Sequence, residues 1–323
     1  MGFVEETESK RPDAPGSTPP LAHDLTGDLP CIGCGYNLRG LSIRAQCPEC
    51  GTAVRATILA RVDPRAEELK PVRHPWLVAH AMILWAWAAV AAALLVWSLR
   101  LSEVVGIWVI GSSSVHLGWA VDWSLIGIAL SGLGALALVR PVAGRAGWDS
   151  FKAAGAVLTY LPLLYVHHQL HARYDAMIGT PFIGPMGMDT GRALLRLAEN
   201  LLIVVIVLGL RANAVALAER SLVMRTGRVD TQPMMALVGS LALASFGDIL
   251  HIFFGKAGGI AGDLLITFEL VVISVGSFLF TLGLVGVAVD VLRLRGVILN
   301  PAPGLSDIFS SMEATDGTAP GRS

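Results

Sequence analysis

Long apolar stretches separated by short polar ones occupy most of the chain. About 20 apolar residues at ~1.5 Å per residue cross a hydrocarbon core of ~30 Å, so these stretches predict membrane-spanning helices. Six are predicted, at about residues 76–97, 117–139, 148–171, 196–210, 234–254 and 264–290. Two of them are less regular than the others. Pro162 interrupts the third. The fourth has an uninterrupted apolar run of only Leu201–Leu210, which must extend over Arg196, Glu199 and Asn200, or over Arg211, to approach ~20 residues; the first extension is preferred.

The segments outside the apolar region are polar and predict separate parts of the protein. Residues 1–28 and 293–323 are rich in proline, serine, glycine and acidic residues, which predicts disordered tails. Residues 29–54 contain every cysteine of the chain, and residues 55–75 are a basic linker. The predicted fold class is therefore an all-α transmembrane bundle of about six helices over residues 76–292, preceded by a small cysteine-containing domain.

The four cysteines form two pairs, Cys31-x2-Cys34 and Cys47-x2-Cys50, separated by twelve residues. A glycine after each second cysteine allows the backbone to bend there. Four thiolates at this spacing satisfy a closed tetrahedral zinc site, and so short a segment needs a metal to fold. Iron is an alternative, because a four-sulfur tetrahedron suits both metals. Free or disulfide-bonded pairs are the alternative without metal.

The cysteine motif resembles a known type of domain. Cys-x2-Cys-Gly-Tyr-Asn-Leu-Arg-Gly followed by Cys-Pro-Glu-Cys-Gly is similar to the zinc-ribbon head of certain bacterial multi-pass membrane proteins. The resemblance covers about residues 29–54, and the four cysteines match the ligand positions one for one. It implies a zinc ribbon attached to a membrane-embedded body, and it implies no reaction.

The composition agrees with a membrane protein. The chain is 54% hydrophobic and only 15% charged, and its mean hydropathy is +0.62. Its net charge of −1 lacks the basic excess of a nucleic-acid-binding protein, so no nucleic-acid partner is expected. The first residues are polar and acidic and do not form a cleavable signal peptide. The expected surroundings are the lipid bilayer of the cell (inner) membrane.

Basic residues predict the orientation in that membrane. Six spans would place about fourteen lysines and arginines on the side of the two termini and about five on the other side. The positive-inside rule then predicts cytoplasmic N- and C-termini. An unoxidised four-cysteine zinc site also belongs in a reducing compartment, which agrees with a cytoplasmic ribbon.

Ionisable residues within the apolar segments gather toward the predicted outer end of the bundle. Such groups are costly in hydrocarbon and usually face the bundle interior, where they mark a site or pathway. The candidates are His167, His171, Glu199, Asp248, His251 and Glu269. They could ligate zinc, iron or manganese, or relay protons. The structural alternatives are a solvated headgroup layer and a local Arg196–Glu199 pair at i and i+3.

Two functional hypotheses follow from these patterns. In the first, the protein is not an enzyme and its ribbon is a cytoplasmic interaction or assembly module that binds a protein partner. In the second, the bundle is a transporter or membrane enzyme that uses the His/Asp/Glu group for metal or proton chemistry. Besides these two, a third hypothesis is a b-type haem held by histidines of two spans, for example His167 and His251. The H-E-x-x-H signature, the nucleophile elbow, the P-loop and the dinucleotide fingerprint are absent from the sequence.

Overall fold

The chain divides into two compact units, Met1–Glu68 with Ala302–Ser323 and Leu69–Pro301. A computed structural model describes residues 24–63, 69–106, 118–143, 147–175, 190–221, 233–254 and 259–304. Most of the two predicted tails, residues 1–23 and 305–323, lies outside the described residues. So does part of the predicted linker, residues 64–68.

The first unit contains two cysteine turns with the same hydrogen-bond pattern. In the first turn, the N–H of Gly35 donates to the carbonyl of Cys31, and the N–H of Cys31 donates to that of Tyr36. In the second, Gly51 donates to Cys47, and Cys47 donates to Thr52. Gly35 and Gly51 have φ of +79° and +71°, the left-handed region that glycine adopts without a Cβ penalty. The structure thus has the backbone bend that the sequence predicts after each second cysteine.

A short helix follows the two turns in the described part of this unit. Helix α1, Val54–Arg61, places Val54 and Ile58 on one face, and Val62 continues that face one turn later. These side chains are buried in a small core shared by the following residues: Leu25, Leu29, Cys31, Leu38 and Cys47. The core is therefore wider than residues 29–54, because it recruits Leu25 from the predicted tail and a helix from the predicted linker.

The described part of the second unit is built from helices, with one isolated antiparallel bridge between Val72 and Val142. Its helices are α2 Pro75–Val105, α3 Gly118–Leu136, α4 Trp148–Leu158, α5 Tyr160–His168, α6 Thr190–Ala218, α7 Pro233–Phe254 and α8 Gly259–Leu299. A π-helical segment, Gln169–Asp175, follows α5 directly. By length and composition, α2, α3, α6, α7 and α8 can each cross a membrane. The chain is therefore a multi-pass membrane protein by these criteria.

The prediction of about six spanning helices is wrong at the third segment. Among the described residues, five helices are long and apolar enough, and residues 148–171 are instead divided at Thr159 into α4 and α5. Pro162 has no N–H to donate to Leu158, which interrupts the helical ladder at this point. The Thr159 hydroxyl donates to the carbonyl of Gly155 at 2.8 Å, a contact that also bends helices.

Small residues let the helices approach closely. Gly127 and Ser131 of α3 pack against α2: a Cβ on Gly127 would lie 3.1 Å from the carbonyl oxygen of Ala88, and the Ser131 hydroxyl donates to the carbonyl of Trp85. The approach is closest at Gly134, where a Cβ would lie 2.5 Å from the backbone nitrogen of Trp85. The close approach of α2 and α3 therefore depends on the small residues Gly127, Ser131 and Gly134 of α3.

The interrupted segment follows the bundle along its length. Near one end, the backbone of Lys152 lies beside Gly209 of α6, and Asn213 of the same helix donates to the carbonyls of Leu138 and Val139. At the opposite end, Arg192 of α6 contacts Asp175. We call the second end the Asp175 end. The candidate polar residues lie toward it.

Candidate functional sites

The four cysteine sulfurs form a compact cluster. The Sγ atoms of Cys31 and Cys50 are 3.5 Å apart, as are those of Cys34 and Cys47, and all four lie within 4.8 Å of one another. Zinc bound at ~2.3 Å in a tetrahedron separates its sulfurs by about 3.8 Å. The donor set therefore fits one zinc or iron ion, with Cys31 and Cys47 buried and Cys34 and Cys50 exposed.

Neighbouring groups favour thiolates at part of this cluster. Backbone N–H groups of Cys34 and Gly33 lower the pKa of Cys31 to about 6, and Thr52 lowers that of Cys50. The pKa of Cys34 is raised to about 12; the Tyr36 N–H acts to lower it, and desolvation and the other sulfurs outweigh that effect. Four sulfurs this close hold negative charge poorly by themselves, and a divalent cation relieves that repulsion.

A hydrogen-bonded chain runs through His167 in the bundle. Its Nδ1 is 2.6 Å from Glu199 Oε1, and its Nε2 is 2.8 Å from Ser124 Oγ. The Ser124 hydroxyl donates to the carbonyl of Val121, so it accepts from an Nε2–H of His167. A proton or a cation must then lie between Nδ1 and the Glu199 carboxyl group.

A second chain lies one helical turn away, at His171. Its Nδ1 contacts Asp175 Oδ2 at 2.8 Å, and the two imidazole rings are 4.4 Å apart. Asp175 also accepts from Arg100 at 2.6 Å and from Arg192 at 2.7 Å. A carboxylate on Nδ1 fixes the ring and leaves Nε2 available, the arrangement that commonly supports a metal-binding histidine.

The remaining candidates form two separate pairs. Asp248 accepts from Arg196, and His251 Nδ1 lies 3.2 Å from Glu269 Oε2. One oxygen of each buried carboxylate, Oδ2 of Asp248 and Oε1 of Glu269, has no hydrogen-bond partner within the part of the chain that the structure describes. The local pairing of Arg196 with Glu199 is thus not the arrangement found, because each side chain bonds to a different helix.

A cavity of about 250 Å³ lies within the bundle beside these groups. Its polar end is lined by Arg100, His167, His171, Arg196, Glu199, Asn200 and Asp248, and the rest of its lining is predominantly apolar. His251 and Glu269 are not among its lining residues.

The structure brings only part of the predicted polar group together. His167, His171 and Glu199 place one ligand atom each within 4.8 Å of the others. Asp248 shares the cavity with them, and the His251–Glu269 pair is separate. Sequence reasoning missed Ser124 and Asp175. Asp175 follows His171 by four residues, a helical spacing that would have revealed it had the segment not been ended at His171.

The fold and these sites define a class, a multi-pass helical membrane protein with a four-cysteine cluster in a separate small unit. Comparisons with protein families, with curated proteins and with solved structures find no match to this chain.

Proposed function

We propose that the four-cysteine unit is a structural zinc ribbon that acts as a cytoplasmic interaction or assembly module for a membrane-embedded bundle. The observation that carries this proposal is the pair of equivalent turns that brings four sulfurs to zinc-like separations. The small buried core has few apolar residues of its own, so a bound metal would supply much of its folding free energy. The zinc would be structural, because four protein ligands leave no open coordination position.

Exposed apolar side chains on this unit support a role in binding a protein. Ile32 and Tyr36 border the first cysteine turn and are 52% and 42% exposed. Leu59 on α1 is 81% exposed. Aromatic and aliphatic side chains held on a rigid turn are typical anchors for a partner.

A pull-down from membranes with the full-length protein tests this function. Cys47→Ser with Cys50→Ser should abolish partner recovery and leave membrane insertion intact. Ile32→Ser with Leu59→Ser should weaken recovery while retaining the zinc, and Arg55→Ser serves as a solvent-exposed control on the same helix. Unchanged partner recovery in the cysteine variant would overturn the interaction role.

The proposed orientation places both termini on the cytoplasmic side of the cell (inner) membrane. The lysine and arginine distribution and the reducing environment that thiolates require support it. Five continuous spanning helices alone would leave the termini on opposite sides. The orientation therefore requires the interrupted segment α4 to Asp175 to traverse the bilayer, and its contacts near both ends of α6 support this.

A second candidate function concerns the bundle: metal-dependent transport or catalysis at His167, His171 and Glu199. The specific observation is a set of two histidines and one carboxylate whose ligand atoms, one from each residue, lie within 4.8 Å of one another. Asp175 orients His171 through Nδ1, and Ser124 accepts a hydrogen bond from Nε2 of His167. This donor set suits iron, zinc or manganese with open coordination positions. Proton transfer along the same chain is the metal-free form of this candidate.

Metal analysis of a variant without ribbon ligands tests the second candidate. Protein in which Cys31, Cys34, Cys47 and Cys50 are replaced by serine should still retain one divalent ion. His171→Gln in that background should lose the ion, and His168→Gln, an exposed neighbour, should keep it. Absence of any metal in the cysteine-free protein would contradict the metal-binding form.

A further inference from the structure

The cavity in the bundle has a polar end and an apolar body. Trp85, Trp97, Tyr160 and Phe280 contribute aromatic surface, and Leu284 and Val287 of α8 extend the apolar lining. At about 250 Å³ the cavity is near the lower end of the range for small-molecule sites, about 300–1,000 Å³. Such a volume suits one slender molecule better than a two-chain phospholipid.

The apolar body exists because α2 presents alanines at this level. Ala89, Ala92 and Ala93 recur at helical spacing and line the cavity, and Ala92 also lies against Gly127 of α3. Larger residues on this face would fill the space between the helices. Trp97 bridges the two helices above it, donating its indole N–H to the Thr281 hydroxyl at 2.9 Å. This hydrogen bond holds α2 and α8 together beside the cavity.

At the polar end, one carboxylate oxygen lacks a hydrogen-bond donor among the described residues. The Asp248 side chain is only 2% exposed and lines the cavity, and its Oδ2 has no hydrogen-bond partner among the described residues. Leaving a buried carboxylate oxygen unpaired is costly, so a group that donates a hydrogen bond to it is favoured.

The charges at this end indicate the charge of the bound head group. Arg196 pairs with Asp248, and Asp175 pairs with Arg100 and Arg192. Glu199 is engaged by His167. Because the arginines already bind carboxylates, an acidic head would compete with these ion pairs. A neutral head that carries a hydroxyl satisfies Asp248 without disturbing them.

We propose that this cavity binds a neutral, hydroxyl-headed, single-chain amphiphile, such as a long-chain alcohol or monoacylglycerol. The hydroxyl donates to Asp248 Oδ2, and the chain lies against the alanine face of α2 and the facing side of α8. The inference is independent of the ribbon and of the metal candidate, and its test requires neither a partner protein nor a metal.

Photolabelling of the purified full-length protein in lipid nanodiscs tests the proposal. The probe is a long-chain alcohol that carries a diazirine on its chain. Labelled peptides should come from the cavity-lining parts of α2 and α8, and monoacylglycerol should compete for the label. Ala93→Phe, which fills the cavity, should lower labelling at least about fivefold. Ala91→Phe, on the exposed face of the same helix, should leave it unchanged.

A second comparison uses the unaltered protein and so does not depend on whether Ala93→Phe folds. The methyl ether of the same probe cannot donate a hydrogen bond, and it should label the cavity about tenfold less than the alcohol. Equal labelling by alcohol and ether would overturn the assignment of the head group. Equal labelling of the Ala93→Phe and Ala91→Phe variants, or label only on lipid-facing peptides, would overturn the site itself.

Discussion

At the scale of single residues, the direction of one hydroxyl determines the chemistry around His167. Because Ser124 donates to its own helix backbone, Nε2 of His167 must supply a hydrogen, and Nδ1 is left facing Glu199. A proton shared between Nδ1 and the carboxyl group makes a hydrogen bond, and a metal there makes a ligand set. In both cases the contact depends on the carboxyl group of Glu199, which a glutamine at this position would replace by an amide.

We expect Glu199→Gln to destabilise the bundle by about 1–2 kcal/mol, since hydrogen bonds between membrane helices rarely contribute more. Thermal unfolding of the detergent-purified protein measures the change. The matched control is Asp263→Asn, an exposed acid on α8, which should change stability by less than about 0.5 kcal/mol. Equal effects of the two substitutions would show that the His167–Glu199 contact contributes nothing particular.

At the scale of elements, the α2–α3 pair shows how backbone contact replaces side-chain packing. Apolar groups gain little by leaving lipid for a helix interface, so close van der Waals contact between small residues holds such helices together. Gly134 is the tightest position on α3, with Trp85 and Ala81 backbone atoms within 2.6 Å of an added Cβ. The pair cannot accept a methyl group there without separating.

Gly134→Ala should therefore cost about 1–3 kcal/mol through overpacking, even though alanine is the better helix former. Gly286→Ala on α8 has open space around its Cβ and should be neutral or slightly stabilising. Unfolding midpoints of the two variants, measured side by side, provide the comparison. A neutral Gly134→Ala would indicate that α2 and α3 are farther apart than described.

Several elements were predictable because their signals are local. Cysteine spacing predicted the cluster, and apolar length predicted five of the spanning helices. The ends were less predictable, because α6 begins six residues earlier and ends eight residues later than predicted, and α8 ends nine residues later. The division at Thr159 was signalled only by Pro162. Partners across helices, such as Arg196 with Asp248, were not predictable, because local spacing offered Arg196 the nearer Glu199 and tertiary packing decided otherwise.

At the scale of the whole molecule, the proposed membrane topology has consequences for the cysteine unit and for the bundle. If the N-terminus is cytoplasmic, the thiolates are in the compartment that keeps them reduced, and the Asp175 end faces the opposite side of the membrane. A substrate, ion or proton that acts at His167 would then reach it from the outer half of the bilayer.

Protease protection of epitope tags at both termini tests this arrangement. We expect both tags to be protected in intact spheroplasts and digested in inverted vesicles, because the positive-inside rule places both on the cytoplasmic side. A C-terminal tag that is digested in intact spheroplasts would show that the interrupted segment does not traverse the bilayer.

The zinc content of the purified full-length protein, measured by elemental analysis together with protein quantitation, is the most direct test of the proposed structural zinc ribbon. Where no second metal is present, we expect one zinc per chain, and Cys47→Ser with Cys50→Ser should reduce it to zero. Where the bundle holds an ion as well, the same substitutions should remove one equivalent. Zinc content unaffected by these substitutions, or no zinc in the unaltered protein, would contradict the ribbon.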